Sequence, residues 1–507
     1  MKTIKFQFYI LLFLISFSTL QVAAQQPDGT PFAAQIEKSR LEKYVYHLAS
    51  AEMKGREAGT SETLVAVDYL KTFYKDFQLK PIIDSMYFNH FFINRDTVLP
   101  AHLLLGKLKL EYGKDFYTRF SEAQQMIPND NLILLNNDEK NWPTEKIKNN
   151  AVVLLPGLFN TTEAVKSEIV KSCQKAKDLG ATAIIIPSLL FNDITFYFGV
   201  NKLNELFAGA PGLHKNSPVV YISWQAMRKV LGNTILDSLI NNKFNIAAQP
   251  FNGKSKKVKL KFRKTTVKSS DFNVVGTIPG KNPNQCLVIG AHYDHVGKND
   301  DGVFFGADDN ASGTAALLEI ARVFSLANQN GFQPERTIIF AAFGAEELGL
   351  IGSRAFAYSG LFNTDSTSAM LNMDMIGRKD AGTGDYVYLL GKDEITKDWS
   401  AILDKVNSSF STLNINKKPD LGFFPTTNLI HDPEHLIMRS DQYFFLRQNI
   451  PALFFTDYMK SDYHRISDTA DKIDYDLLKE RTQFIFLTAW QLAYKKEMLS
   501  RTSIFTK

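Results

Sequence analysis

Apolar residues over the first hundred positions recur at helical spacing. Leu41, Tyr44, Val45 and Leu48 form one stripe, and Val65, Tyr69, Leu70 and Phe73 form a second. The turn Gly55-Arg56-Glu57-Ala58-Gly59-Thr60 separates the two predicted helices, and Arg56 and Glu57 read as its solvated charges. From about Leu99 to Asn252 the pattern changes to short apolar runs divided by turns, at 132–135, 151–155, 181–187 and 219–222. Val165, Ile169, Cys173 and Ala176 place a helix between the second and third of these runs. Lys257, Lys259 and Lys261 then alternate with Val258, Leu260 and Phe262, which predicts a strand with one wet face and lysines guarding an edge.

From Asn273 onward strands and helices alternate, as in a mostly parallel sheet covered on both faces. The candidate central strands are 286–289, 337–343, 369–373 and 452–455. A helix over about 312–326 carries the stripe Leu317, Leu318, Ala321 and Phe324. The predicted fold class is α/β: a mostly parallel central sheet flanked by helices, with a smaller mixed α/β domain inserted. The expected division is 27–98 and 256–507 for the main domain and 99–255 for the insertion.

Length agrees with this division, because 507 residues exceed what a single core usually supports. Hydrophobic content of 45% and charged content of 22% are ordinary for a soluble globular chain. A net charge of +5 over this length does not point to a nucleic-acid partner. Residues 1–24 have the layout of a signal peptide: Lys2 and Lys5, an apolar run over about 8–17, then Val22-Ala23-Ala24. The run is shorter than the roughly 20 residues of a spanning helix, so export to the periplasm or the medium is expected, without a stable membrane anchor. Cys173 and Cys286 are the two cysteines, too few and too far apart for a disulfide framework, and both are expected to be buried thiols.

The polar residues that carry chemistry fall at the ends of the predicted strands. His292 and Asp294 follow the first, Glu346 and Glu347 the second, Asp374 ends the third, and Tyr463-His464 lies beyond the fourth. The pair Asp308-Asp309 precedes the helix opened by Gly313. Open α/β sheets bind ligands at the carboxyl ends of their strands, so these motifs are expected to converge on one crevice. Two zinc ions about 3.5 to 4 Å apart need a bridging carboxylate and terminal imidazole or carboxylate ligands, and the set contains them. A decoy at 431–435, His-Asp-Pro-Glu-His, matches another zinc-peptidase motif, but Pro433 breaks the helix that the motif requires.

The order and content of these motifs resemble peptidase family M28, the co-catalytic zinc aminopeptidases, which include glutamate carboxypeptidases and, as one-zinc relatives, glutaminyl cyclases. The resemblance implies the phosphorylase/hydrolase-like fold of zinc exopeptidases and two Zn2+ per chain. It implies His292 and Asp374 as ligands of one zinc, Glu347 and His464 of the other, and an aspartate of the Asp308-Asp309 pair as the bridge. Counting four back from Gly313, as the family pattern does, selects Asp309, and the peptide after it is expected to be cis. Glu346 would be the general base that takes a proton from the bridging water and passes it to the leaving amine. Asp294 would orient His292, and Tyr463 would hydrogen-bond the oxyanion or simply pack. The alternation over residues 151–223 resembles a protease-associated (PA) domain. Where many relatives carry Ser-Asp-His, this chain has Ser440-Asp441-Gln442, which is expected to change the pocket.

The implied activity is an exported exopeptidase acting on peptide substrates, an aminopeptidase in preference to a carboxypeptidase or dipeptidase. Glu434, Asp441 or the ligand carboxylates could meet a substrate amine, and Arg354, Arg378 or Arg439 a substrate carboxylate. A glutaminyl cyclase, or a binding protein that has lost the chemistry, are the rivals. The first predicts fewer metals, and the second broken ligands.

Overall fold

The computed structural model describes residues 27–105, 107–111, 115–118, 124–135, 139–154, 163–188, 219–232, 257–299, 302–379, 386–390, 396, 398–410, 414–415, 436–457 and 462–501. The signal-like segment 1–24 and the decoy at 431–435 lie outside the described residues. Helix α1 (Lys38–Leu48) buries Leu41, Tyr44, Val45 and Leu48, the stripe its spacing predicts. Helix α2 (Ser61–Asp76) is rotated from the expected face. It buries Thr63, Ala66, Val67, Leu70 and Tyr74, while Val65 is 54% exposed. Two overlapping apolar stripes share Leu70, and the one that meets the main core prevails over local spacing.

A long strand, β1 (Phe88–Leu105), leads into a smaller sheet region. There β2 (Gln124–Leu135), β3 (Ala151–Leu154), β4 (Ala183–Ser188) and β5 (Val219–Ser223) run parallel in that order, with helix α3 (Glu163–Asp178) between β3 and β4. Alternate residues serve two cores. Leu132, Leu134, Val153, Ile185 and Ile222 enter one, while Ile133, Leu135, Val152, Ile184 and Ile186 join Cys173 and Ala176 of α3 in the other.

Strand β6 (Lys257–Ile278) returns antiparallel along β1 and ties this region to the main sheet. Near its start β6 has neighbours on both sides, with Lys261 opposite His102 of β1 and Met126 of β2. The lysines there do not guard an edge, contrary to expectation. Alternation reports which face of a strand is wet; lateral pairing is decided by chain segments far away in sequence.

The main domain follows as β7 (Asn282–His292), helix α4 (Gly313–Gln329), β8 (Arg336–Phe343), helix α5 (Ile351–Ala357), β9 (Thr367–Met373), β10 (Tyr386–Leu390), helix α6 (Gln442–Arg447), β11 (Ala452–Thr456) and helix α7 (Tyr475–Tyr494). The strand order is β10-β11-β9-β7-β8-β6. β7 is parallel to both β8 and β9, and β9 is parallel to β11, while β6 and β10 flank them antiparallel. Leu287, Ile289, Phe340, Leu371 and Leu453 pack with α1, α2, α4 and α7. Val288, Ile339, Met370 and Ala452 pack with Phe356 of α5 and Phe445 of α6 on the other face. Both faces are covered, as runs of uninterrupted apolar residues in parallel strands require. Cys173 and Cys286 are buried free thiols. No helix among the described residues is long and apolar enough to cross a membrane.

Candidate metal centre

The parallel strands deliver their polar residues to one end of the sheet. His292 closes β7, Glu346 and Glu347 sit in the turn after β8, Asp374 follows β9, and His464 lies in the loop beyond β11; all are buried. His292 Nε2 is 3.4 Å from Asp309 Oδ1 and 3.3 Å from Asp374 Oδ1. The other oxygen of Asp309, Oδ2, is 3.1 Å from His464 Nε2. Glu347 Oε1 is 3.0 Å from His464 Nε2 and 3.0 Å from His295 Nδ1. The result is two donor groups, His292/Asp309/Asp374 and His295/Asp309/Glu347/His464, each with its donor atoms within 4.8 Å of one another. Asp309 belongs to both.

These residues fit zinc. His292 Nε2, Asp374 Oδ1 and Asp309 Oδ2 are buried and make no hydrogen bond. Buried polar atoms in folded proteins are almost always paired, so atoms left bare and converging mark a place for a cation. The donors are imidazole nitrogens and carboxylate oxygens, which zinc accepts. The local electrostatics agree. Burial works against a charged His464, yet Glu347 and Asp309 hold its imidazole up at about 9. His292 is likewise raised well above the ordinary range, against burial, by Asp374, Glu346 and Asp294.

The loop carrying Asp309 is held from three directions. Gly306 adopts a left-handed conformation (φ +57°), and a Cβ there would lie 2.2 Å from the Asp309 carbonyl oxygen and 2.5 Å from the His295 ring. The Asp309–Asn310 peptide is cis. Asp468 accepts the backbone N–H of Asp308 (3.0 Å) and of Asp309 (3.1 Å). Asp308 is turned elsewhere, its Oδ1 accepting the N–H of Gly377 at 2.8 Å.

Arg56, expected in a solvated turn, is fully buried. Its Nε donates to the Tyr293 carbonyl (2.7 Å), and its two Nη atoms donate to Phe305 (2.8 Å), Gly306 (2.9 Å) and Leu48. A guanidinium with five N–H groups in a fixed fork is suited to gathering carbonyls from several segments. Burial lowers its pKa to about 10, opposed by the carboxylates of the centre, so it remains charged at neutral pH.

Asp294 has a task beyond the one expected. Its carboxylate accepts the N–H groups of Glu346 (3.0 Å) and Glu347 (3.2 Å), pinning the glutamate turn. His292 Nδ1 lies 3.2 Å from the backbone carbonyl of Asp294 and 3.7 Å from its carboxylate, so the carbonyl is the hydrogen-bond partner. Ser440 donates to Asp374 Oδ2 (2.7 Å), and Asn372 Nδ2 donates to Ser440 Oγ (2.8 Å) and to Gln442 Oε1 (2.8 Å). Gln442 Nε2 donates to the Ile437 carbonyl (2.8 Å), so both ends of this buried amide serve the scaffold and not the pocket. Asp441 is sealed from solvent, which pushes its carboxyl up to about 7, and it offers no exposed acceptor for a substrate amine.

The Tyr463 ring stacks on His464 (centroids 3.9 Å apart), and its hydroxyl is 3.5 Å from Arg439 Nη2. Arg378 is committed to Asp462 (2.8 Å), and Arg354 lies over the Phe444 ring. Glu434 lies outside the described residues. Sequence reasoning missed His295, Arg56 and Asp468. A second imidazole three residues past His292 was a readable signal; nothing local marked the other two.

Residues 273–489, which contain every residue of both donor groups, match the model of peptidase family M28. They form a peptidase family M28 domain. Leupeptin-inactivating enzyme 1 of Streptomyces exfoliatus is 38% identical over 119 residues, 23% of this chain and 25% of that protein. A probable zinc metalloprotease of Pyrenophora teres f. teres is 37% identical over 115 residues, 22% of this chain and 24% of its own length. The matched segment thus spans about a quarter of the length of these relatives. Among solved structures, an aminopeptidase from Aneurinibacillus sp. strain AM-1 superposes with a TM-score of 0.59 at 20% identity, over 93% of this chain and 97% of that one. A zinc aminopeptidase from Bacillus subtilis gives 0.59 at 19% identity, over 91% and 97%. These similarities establish a shared fold that extends beyond the M28 domain to most of the chain.

Proposed function

We propose that the protein is an exported two-zinc exopeptidase that hydrolyses peptides from their amino ends. One observation carries the reading: Asp309 offers one carboxylate oxygen to each of two buried donor groups at the carboxyl end of a parallel sheet. The fold shared with the Aneurinibacillus and Bacillus aminopeptidases supports the choice of aminopeptidase, and the signal-like residues 1–24 support export.

Zinc held by His292, Asp309 and Asp374 and by Asp309, Glu347 and His464 would supply Lewis-acid polarisation of the scissile carbonyl and lower the pKa of water. The chain's own residues do the rest. Glu346 takes the proton of the attacking water and returns it to the departing amine nitrogen as the C–N bond breaks. Its neighbour Glu347 faces the metal position, and Asp294 holds the backbone of both, so base and ligand move as one unit. His292 is fixed with Nδ1–H toward the Asp294 carbonyl, which leaves Nε2 bare toward Asp309 and Asp374. Tyr463, its hydroxyl beside the Arg439 guanidinium, donates to the oxyanion of the tetrahedral intermediate.

The test is zinc content together with turnover of peptides carrying free or blocked amino and carboxyl ends, for wild type and Glu346→Gln. The expected result is about two zinc per chain in both proteins, with turnover of free-amine peptides lost in the variant. Zinc-loaded wild type that cleaves none of the panel would overturn the peptidase reading. Turnover of blocked-amine, free-carboxyl peptides would replace aminopeptidase with carboxypeptidase.

A further inference from the structure

We propose that His295 is a third imidazole ligand of the centre, so that the two metal positions are unequal: four protein donors hold one and three hold the other. The inference rests on the two-zinc reading above. His295 is buried, with Nδ1 3.0 Å from Glu347 Oε1 and 3.8 Å from Asp309 Oδ2. A tetrahedral zinc with bonds of about 2.0 to 2.1 Å sets its donors roughly 3.3 Å apart. The contacts around this position, 3.0, 3.8, 3.1 and 3.0 Å, bracket that separation. A histidine that only oriented Glu347 from outside would need just the Glu347 contact. Here Nδ1 also approaches the second carboxylate and lies within 4.8 Å of His464 Nε2, inside the same shell of donors.

The ring is kept there by the fold. The His295 backbone N–H donates to the Arg56 carbonyl at 3.2 Å, and Gly306 closes over the ring so tightly that even a methyl group would collide with it. The second ring nitrogen, Nε2, has no hydrogen-bond partner among the described residues, so no contact there draws the ring away from the centre.

Among the described residues the His292/Asp309/Asp374 position has no counterpart to His295 and has three donors. Zinc sites with three protein ligands keep a place open for water or substrate, whereas a fourth ligand favours retention. The position built from His295 therefore holds its zinc more tightly, and the His292 position exchanges first.

Two measurements on the full chain test this. Zinc K-edge X-ray absorption of the wild-type two-zinc protein is expected to show three imidazoles per pair of zinc ions. Competition against a zinc-buffering chelator is expected to resolve two affinity classes. His295→Ala should weaken the tighter class by more than the roughly 10- to 100-fold that losing an outer-shell partner costs and spare the other, whereas Asp374→Ala should abolish the weaker class alone. His295→Gln, which preserves much of the ring's volume, serves if the alanine variant does not fold, with the same expected loss. Two imidazoles per zinc pair in the wild type, unchanged affinities in either His295 variant, or equal weakening of both classes would each overturn the assignment. Wild type that binds no zinc at all would overturn the metallopeptidase reading with it.

Discussion

Replacing Arg56 by methionine keeps the apolar stem and removes the charged fork. The carbonyls of Tyr293, Phe305, Gly306 and Leu48 then lose their donor inside a sealed region. Stranding a buried acceptor costs about 1 kcal/mol or more, so four of them amount to roughly 4 kcal/mol. The same figure lies within the roughly 3 to 5 kcal/mol seen when one member of a buried charged network is removed. In a chain this large, about 1 °C of melting temperature per kcal/mol predicts a fall of about 4 °C.

The damage should also reach the metal centre. Tyr293 is the neighbour of His292, and Gly306 opens the loop that carries Asp309, so Arg56→Met is expected to bind zinc more weakly at both positions. Arg56→Lys should recover less than half of the loss, because one ammonium cannot reach carbonyls on several segments as a planar fork does. Thermal melts by circular dichroism at fixed free zinc, paired with metal analysis after gel filtration, measure both effects. A methionine variant melting within about 2 °C of wild type, with its zinc intact, would refute the clamp.

Asp468→Ala leaves the buried N–H groups of Asp308 and Asp309 without an acceptor, and because Asp309 serves both positions, zinc content should fall below one per chain. Retention of two zinc ions by mass spectrometry would show that the loop holds itself. Burial raises the Asp271 carboxyl to about 6 from 3.8, with hydrogen bonds from Phe272 and Gly59 opposing. A folded-state pKa above the unfolded one favours the folded state below about pH 4, and this contribution is lost as pH rises through about 6. Asp271→Asn should therefore flatten urea midpoints over that window relative to wild type, and parallel profiles would contradict it. Burial pushes the Cys173 thiol up to about 12 and the Cys286 thiol up to about 11, so neither should react with a disulfide reagent at pH 8 until the protein is unfolded. Rapid labelling of native protein would show that one of them is accessible.

The central strands, their parallel arrangement and the set of residues expected to meet at their ends were all legible before the fold was known. Those features follow from local patterns: uninterrupted apolar runs mark strands buried on both faces, and polar residues just past them fall at the carboxyl edge. His292, Glu347, Asp374 and His464 were legible as donors just past predicted strands, while their roles, and the choice of Asp309 over Asp308, came from the resemblance to a known family and not from spacing.

Features that depend on long-range contacts became visible only in the folded chain. Arg56 sits in a turn of ordinary turn composition, and its burial depends on carbonyls up to 250 positions away. Asp294 was expected to act on an imidazole, and its carboxylate also holds two amides of the glutamate turn, because a carboxylate takes the donors that the fold brings nearest. Gln442 was expected in the pocket and lies beneath it, since helix α6 packs that face against β9. The lysines of β6 were expected at an edge and have neighbours on both sides. In each case residue type and period set what a side chain can do, and packing against distant segments chose which of those things it does.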